Sequence, residues 1–140
     1  MKFSDISREQ WDELKPYLDT CLLPVTGLDG SESPYEATEK LERLRDMLDL
    51  IEIPFKGRVV TYPACHYVTP ATRACDALAD YCANLRASGF AVIVFVSADA
   101  SLQLQDGGAD LIIQPAENGE WPSKEAVSTW IRELWSRTAV

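Results

Sequence analysis

Apolar and polar positions follow two different periods along this chain, and together they predict alternating strands and helices. Short, nearly continuous apolar runs are typical of strands that are buried on both faces. Between these runs, apolar residues recur three and four positions apart, which is the spacing of one helical face. The predicted strands are Cys21–Val25, Val59–Tyr62, Phe90–Val96 and Ala109–Ile113.

Capping residues mark where the predicted helices begin. Ser7 and Ser33 each stand three residues before a Gln or a Glu, which is the spacing of a capping box. Thr69 precedes a proline, and proline is favoured at the first helical position. The predicted helices run from Ser7 to a break near Pro16, from Ser33 to Glu52, from Thr69 to Gly89, from Ser97 to Gln105 as a short helix, and onward from Ser123.

The second and the last predicted helices each have an apolar stripe. We expect the inner face of the second helix to consist of Ala37, Leu41, Leu44, Leu48 and Ile51, and its polar residues, Lys40 and Arg43 among them, to face solvent. The inner positions of the last helix are Val127, Trp130, Ile131 and Leu134. Trp130 and Trp135 are five residues apart, so we expect one of them to be exposed and to mark a partner surface.

This order of elements predicts a single α/β domain over residues 1–140. Strands that alternate with helices form parallel sheets through right-handed crossovers. We expect a three-layer, doubly wound fold of the Rossmann-like or flavodoxin-like kind, with about four parallel strands and helices on both faces.

Composition narrows the classes of function. The net charge of −9 disfavours nucleic acid and anionic membranes as partners. The polar N-terminal segment does not resemble a signal peptide, and the longest apolar run, Phe90–Val96, is too short to span a bilayer. These features predict a cytoplasmic protein without membrane insertion.

The four cysteines do not form a metal-binding pattern. Cys21, Cys65, Cys75 and Cys82 contain no CxxC pair, and the chain has a single histidine, His66. We expect free thiols, as is usual in a reducing cytosol, with no metal and no cofactor.

In an open parallel sheet, ligands bind beyond the carboxyl ends of the strands. Four loops lie there in the predicted order: 26–31, 63–69, 97–101 and 114–119. The candidate ligand-binding residues in the first three are Thr26, Gly27, Asp29, Cys65, His66, Ser97 and Asp99.

Cys65 and His66 are candidates for catalysis, since an imidazole can activate a thiolate. However, adjacent residues on an extended chain point to opposite sides, and the alternative is a packed thiol beside a surface histidine. Asp29 and Asp99 follow two strands and could together hold Mg²⁺ or act as acid and base. Alternatively, each shapes a turn.

The segment 27–30, Gly-Leu-Asp-Gly, has glycines that could let backbone amides bind a phosphate. It lacks both the GxGxxG spacing and the GK[ST] ending, so it supports nucleotide binding only poorly.

Two segments carry a resemblance to a known family. The stretch YLDTCLLP at 17–24 and the stretch FKGRV at 55–59 resemble matching stretches of the YpiF-like family of uncharacterised bacterial proteins. The resemblance implies a cytoplasmic protein and supplies no activity, cofactor or catalytic residue. It draws attention to Asp19 and Arg58, which lie at the amino ends of two strands, and we predict an ion pair between them.

Two functions remain open. The first is a non-catalytic binding or regulatory module, whose partner would be a second copy of the chain or another protein. The alternative is a small hydrolase or transferase that acts at the carboxyl ends of the strands. Its candidate residues are Cys65, His66, Asp99 and Asp29.

Overall fold

Four parallel strands form one sheet in the computed structural model, which describes residues 1–66, 74–105 and 107–138. The strands are β1 (Thr20–Pro24), β2 (Val59–Thr61), β3 (Val92–Val96) and β4 (Leu111–Ile113), and their order in the sheet is β2-β1-β3-β4. The two central strands, β1 and β3, are buried at every position. Strands of this kind must be covered on both faces, which explains their uninterrupted apolar sequences.

Helices cover both faces of the sheet, so the predicted three-layer α/β fold is confirmed. They are α1 (Arg8–Leu14), α2 (Pro34–Glu52), α3 (Ala74–Ala87) and α4 (Lys124–Thr138), preceded by a 3-10 turn at Phe3–Asp5. One core lies under α1 and α3, and the other lies under α2 and α4. Within the described ranges, no helix is both long enough and apolar enough to cross a membrane.

The predicted capping boxes at Ser7 and Ser33 are both present in the structure. Ser7 accepts a hydrogen bond from the Gln10 N–H at 3.2 Å, and the Gln10 side chain accepts one from the Ser7 N–H at 2.9 Å. At the start of α2, the Glu36 carboxylate accepts hydrogen bonds from both the N–H and the hydroxyl of Ser33. The predicted start at Thr69 lies outside the described residues, as does the Cys75 side chain.

The short helix predicted from Ser97 to Gln105 is wrong. This segment is irregular, with a turn at Ala100 and Ser101 and no helix. The Asp99 carboxylate accepts hydrogen bonds from the N–H and the hydroxyl of Ser101, which stabilises a turn instead of a helix. Leu102 and Leu104 are both buried, and burial of every second residue suits an extended chain.

Two expected core residues are exposed. Leu41 is 42% exposed, because burial on α2 begins only at Leu44 and includes Met47, which the predicted stripe omitted. Trp130 is 39% exposed, whereas Trp135 is partly buried and packs edge-on against Phe55. The expectation that one of the two tryptophans is exposed is therefore confirmed.

Candidate functional site

The strand order places the expected ligand crevice between β1 and β3. In a doubly wound sheet the crevice opens where the chain leaves neighbouring strands in opposite directions. Here β1 is followed in sequence by β2 on one side, while β3 is followed by β4 on the other. The loops that leave β1 and β3, residues 25–33 and 97–105, are therefore the first candidates for a site.

These two loops touch each other at Gly27 and Asp99. Gly27 has a positive φ of 75°, and a Cβ built on it would lie 2.5 Å from the Asp99 Oδ2. Only glycine avoids both the left-handed strain and this close approach. Gly27 thus allows the loop after β1 to close against the loop after β3.

A groove lies on the β4 side of this contact, and we call it the carboxyl-end groove. It has a volume of about 1180 Å³. One wall is the first half of α2, and the others are the loops that follow β3 and β4. Its polar and charged lining includes Thr26, Lys40, Arg43, Asp99, Gln114 and Glu117.

Three predicted site residues lie in or beneath this groove. Thr26 and Asp99 line it. Ser97 is buried, and its hydroxyl accepts a hydrogen bond from the Asp99 N–H at 3.1 Å. This hydrogen bond helps to fix the backbone of Asp99 at the edge of the groove.

Asp29 does not line the groove. Its carboxylate accepts hydrogen bonds from the N–H and the hydroxyl of Ser31, and these bonds lower the pKa of Asp29. Asp29 and Asp99 thus each stabilise a local turn, as the alternative interpretation expected. In the part of the chain that is described, no three His, Cys, Asp or Glu side chains gather as a metal site.

The backbone amides of the glycine-containing segment 27–30 already bind a carboxylate of the protein itself. The N–H groups of Asp29 and Gly30 donate to the Glu32 carboxylate at 2.8 and 3.1 Å. These bonds, led by the one from Asp29, lower the pKa of Glu32, and Lys40 pairs with the same carboxylate at 3.3 Å. Glu32 therefore occupies the amides that would be needed to bind a phosphate.

Cys65 and His66 lie beside β1, outside the groove lining. The Cys65 N–H donates to the Pro24 carbonyl at 2.8 Å, and the Cys65 carbonyl accepts from the Thr26 N–H at 3.0 Å. The thiol packs against the core under α1 and α3, and burial raises the pKa of Cys65. A raised pKa reduces the thiolate fraction and hence nucleophilicity. His66 is exposed, with its Nδ1 3.2 Å from the Thr26 hydroxyl.

Sequence reasoning missed most of the groove. The sequence pattern predicts that Lys40 and Arg43 face solvent, and it includes Gln114 and Glu117 only as part of a candidate loop. One usable signal was present: Lys40 and Arg43 are three residues apart on a helix, so they lie on the same side of it. What the sequence could not show is that this side faces the loops after β3 and β4.

The predicted ion pair between Asp19 and Arg58 is confirmed. The two side chains form a bidentate ion pair, with Nε–Oδ1 at 3.0 Å and Nη2–Oδ2 at 3.1 Å. The Arg58 guanidinium also lies 4.0 Å from the centre of the Trp135 ring. The Trp135 indole N–H donates to the Thr20 hydroxyl, which in turn donates to Asp19. We call these four residues the amino-end network, since they lie at the amino ends of the strands, away from the groove.

Comparisons with known proteins place the chain in a family. No curated protein and no solved structure gives a significant match to it. A family model described as "Protein of unknown function (DUF2487)" matches residues 9–133. That match extends from α1 through most of α4 and includes all the residues that line the carboxyl-end groove. The chain therefore belongs to the DUF2487 family of proteins of unknown function.

Proposed function

We propose that the protein is a non-catalytic binding module that takes up a polar small molecule in the carboxyl-end groove. One observation carries the proposal: the groove lies at the carboxyl ends of β3 and β4 and is lined by charged, amide and hydroxyl side chains from four separate segments. Convergent polar groups in a large concave site are typical of ligand binding. The volume of about 1180 Å³ is ample for a metabolite.

The positions of the candidate catalytic residues support binding over catalysis. Cys65 is outside the groove lining, and burial raises the pKa of its thiol. Asp99 does line the groove, but its carboxylate holds the turn at Ser101. An acid or base that is already engaged in a structural turn is less available for proton transfer.

One contact favours the alternative, a small hydrolase or transferase. Thr26 lines the groove, and its hydroxyl lies 3.2 Å from the His66 Nδ1. A hydroxyl beside an imidazole is the pairing used in nucleophilic catalysis. Thr26 is 5% exposed, and its hydroxyl is also close to the Cys65 carbonyl and the Leu28 N–H. These additional contacts suit a structural role for the hydroxyl.

A melting-temperature screen tests the proposal. Amino acids, short peptides, sugars, organic acids and nucleotides are added singly to the protein, and each one that raises the melting temperature is incubated with it and analysed by mass spectrometry. We expect at least one stabilising compound, recovered unchanged. If the protein converts a compound to a product, and if both Thr26→Val and His66→Ala abolish that conversion, the protein is an enzyme and the proposal of a non-catalytic binding module is overturned.

We also propose that this module is a single domain over 1–140, works in the cytoplasm and does not act on nucleic acid. The net charge of −9 supports the last point, because nucleic-acid binding needs clustered cations. The segments at 17–24 and 55–59 support the narrower proposal that the chain is YpiF-like within its family.

A protein partner, either a second copy or another protein, is proposed on the strength of Trp130, which is 39% exposed on α4. Exposed tryptophans are enriched in protein interfaces. Sedimentation velocity over a range of concentrations, with the wild type and Trp130→Ala compared, tests for a dimer. Identical monomer profiles for both would remove the second copy as a partner.

A further inference from the structure

Charges of opposite sign lie on different walls of the carboxyl-end groove. The α2 wall carries Lys40 and Arg43, while the loops after β3 and β4 carry Asp99 and Glu117. The groove therefore offers charges of both signs, although the whole chain has a net charge of −9. A groove with separated charges favours a ligand that is itself positive at one end and negative at the other.

Arg43 is the cation that remains available on the α2 wall. Lys40 is paired with Glu32, whose side chain is only 6% exposed, so its charge is already balanced. Among the residues that the structure describes, no carboxylate lies within 4.0 Å of Arg43. Its guanidinium lies 5.9 Å from the centre of the Trp121 ring, which helps to orient it. A planar guanidinium suits two-pronged recognition of a carboxylate.

The carboxamide of Gln114 is held in one orientation. Its Nε2 donates to the carbonyls of Asp99 and Leu102 at 3.2 and 3.1 Å. Rotating the amide by 180° would bring its oxygen against both carbonyls, so Oε1 remains as the acceptor for a ligand. Gln103 and Gln105 also line the groove. Side-chain carboxamides carry the same donors and acceptors as a peptide bond, and they therefore suit a ligand built from amides.

We propose that the ligand of the groove is a short peptide with both termini free. Its carboxylate binds at Arg43, its ammonium group lies toward Asp99 and Glu117, and its peptide groups bind the glutamine carboxamides. The volume of about 1180 Å³ exceeds the roughly 300–1,000 Å³ that is usual for small-molecule sites and leaves room for several residues. This inference rests on the proposed function, since it names the ligand class for the same groove.

Blocking each terminus of one peptide tests the inference. Tetra-alanine has no charge except at its ends, and it is titrated into isotope-labelled protein as the free, the N-acetylated, the C-amidated and the doubly blocked form. The dissociation constants are obtained from NMR chemical shifts. We expect the free peptide to bind best and each single block to weaken binding about tenfold, as expected for the loss of one charged hydrogen-bonded contact.

Charge variants assign the two ends. Arg43→Gln should weaken binding of the free peptide about tenfold and leave the C-amidated form nearly unchanged. Arg45→Gln is the matched control, since Arg45 is also exposed on α2, pairs with Asp46 and does not line the groove. The double variant Asp99→Asn and Glu117→Gln should abolish the preference for a free amino group. The melting temperature of each variant verifies that it is folded.

The outcomes separate this inference from the proposed function. Equal binding of free and blocked peptides, or equal effects of Arg43→Gln and Arg45→Gln, would overturn the peptide assignment. Absence of peptide binding while another class of compound shifts the groove resonances would overturn it too, yet would leave the binding module intact. If no compound of any class perturbs the groove, both proposals fall.

Discussion

At the scale of single residues, Gly27 has the most closely constrained position near the groove. Its positive φ and its contact with Asp99 act together: a side chain here would be strained even without a neighbour and would also displace the carboxylate. Since Asp99 stabilises the turn at Ser101, a shift of Asp99 would propagate into the groove wall. The sequence suggested a ligand contact at Gly27, whereas the structure gives it a role in closing two loops.

Replacing Gly27 by alanine should therefore destabilise the protein. We expect the free energy of unfolding to fall by about 2 kcal/mol or more, from the left-handed backbone and the steric overlap together. Gly57→Ala is the matched control, because no atom lies within 4 Å of a Cβ at that position, and it should change stability by less than about 0.5 kcal/mol. Urea denaturation measures both. Equal effects of the two substitutions would show that the contact between Gly27 and Asp99 is unimportant.

Cys21 provides a residue-scale prediction about pH. Burial in the core raises its pKa from 9.0 to about 12. Between these values the unfolded chain loses the thiol proton while the folded chain keeps it, so the stability that is present below pH 9 is lost as the pH rises toward 12. Urea denaturation at pH 8, 9 and 10 should show falling stability, and the fall should be smaller for Cys21→Ala. The same pH dependence in both proteins would contradict this assignment.

At the scale of elements, the amino-end network connects three parts of the fold. Asp19 precedes β1, Arg58 precedes β2 and Trp135 belongs to α4, so the network joins two strand starts and a helix. Its members come from the two segments that resemble a known family, together with one residue from the C-terminal helix. Their geometry indicates that these segments contribute to stability, and they lie away from the carboxyl-end groove, where we propose that the ligand binds.

Asp19→Ala should lower the free energy of unfolding by about 1–2 kcal/mol, since it removes a two-pronged, charge-assisted contact that is partly exposed. Asp46→Ala removes the exposed contact with Arg45 and should cost less than about 0.5 kcal/mol. Thermal unfolding of both variants provides the comparison. An unchanged melting temperature for Asp19→Ala would remove the ion pair from the account of stability.

The elements themselves were largely predictable, because β1 and β3 are buried on both faces and are therefore apolar throughout. The segment from Ser97 to Gln105 was not, since turn formation by Asp99 and Ser101 competes with the helix that its composition allowed. The groove could be predicted only as a set of loops. Which helix faces those loops depends on strand order and on where α2 extends past the core, and neither has a local signal in the sequence.

At the scale of the whole molecule, the two ends of the sheet differ in character. The amino ends are joined by a closed network of charged and aromatic side chains, whereas the carboxyl ends open into a groove of about 1180 Å³. The chain has 22 acidic and 13 basic residues, whereas the groove has cations on its α2 wall and carboxylates on the loops after β3 and β4. This contrast favours the groove as the place where a ligand with separated charges would bind.

The most direct test of the account is to locate the bound ligand by NMR. Each compound that raises the melting temperature is added to labelled protein, and the backbone amide shifts are mapped onto the structure. We predict that the largest shifts fall in residues 97–105 and 114–119 and on the α2 turn that carries Lys40 and Arg43. Shifts that cluster instead around Trp130, or around Cys65 and His66 with the groove unperturbed, would contradict the account.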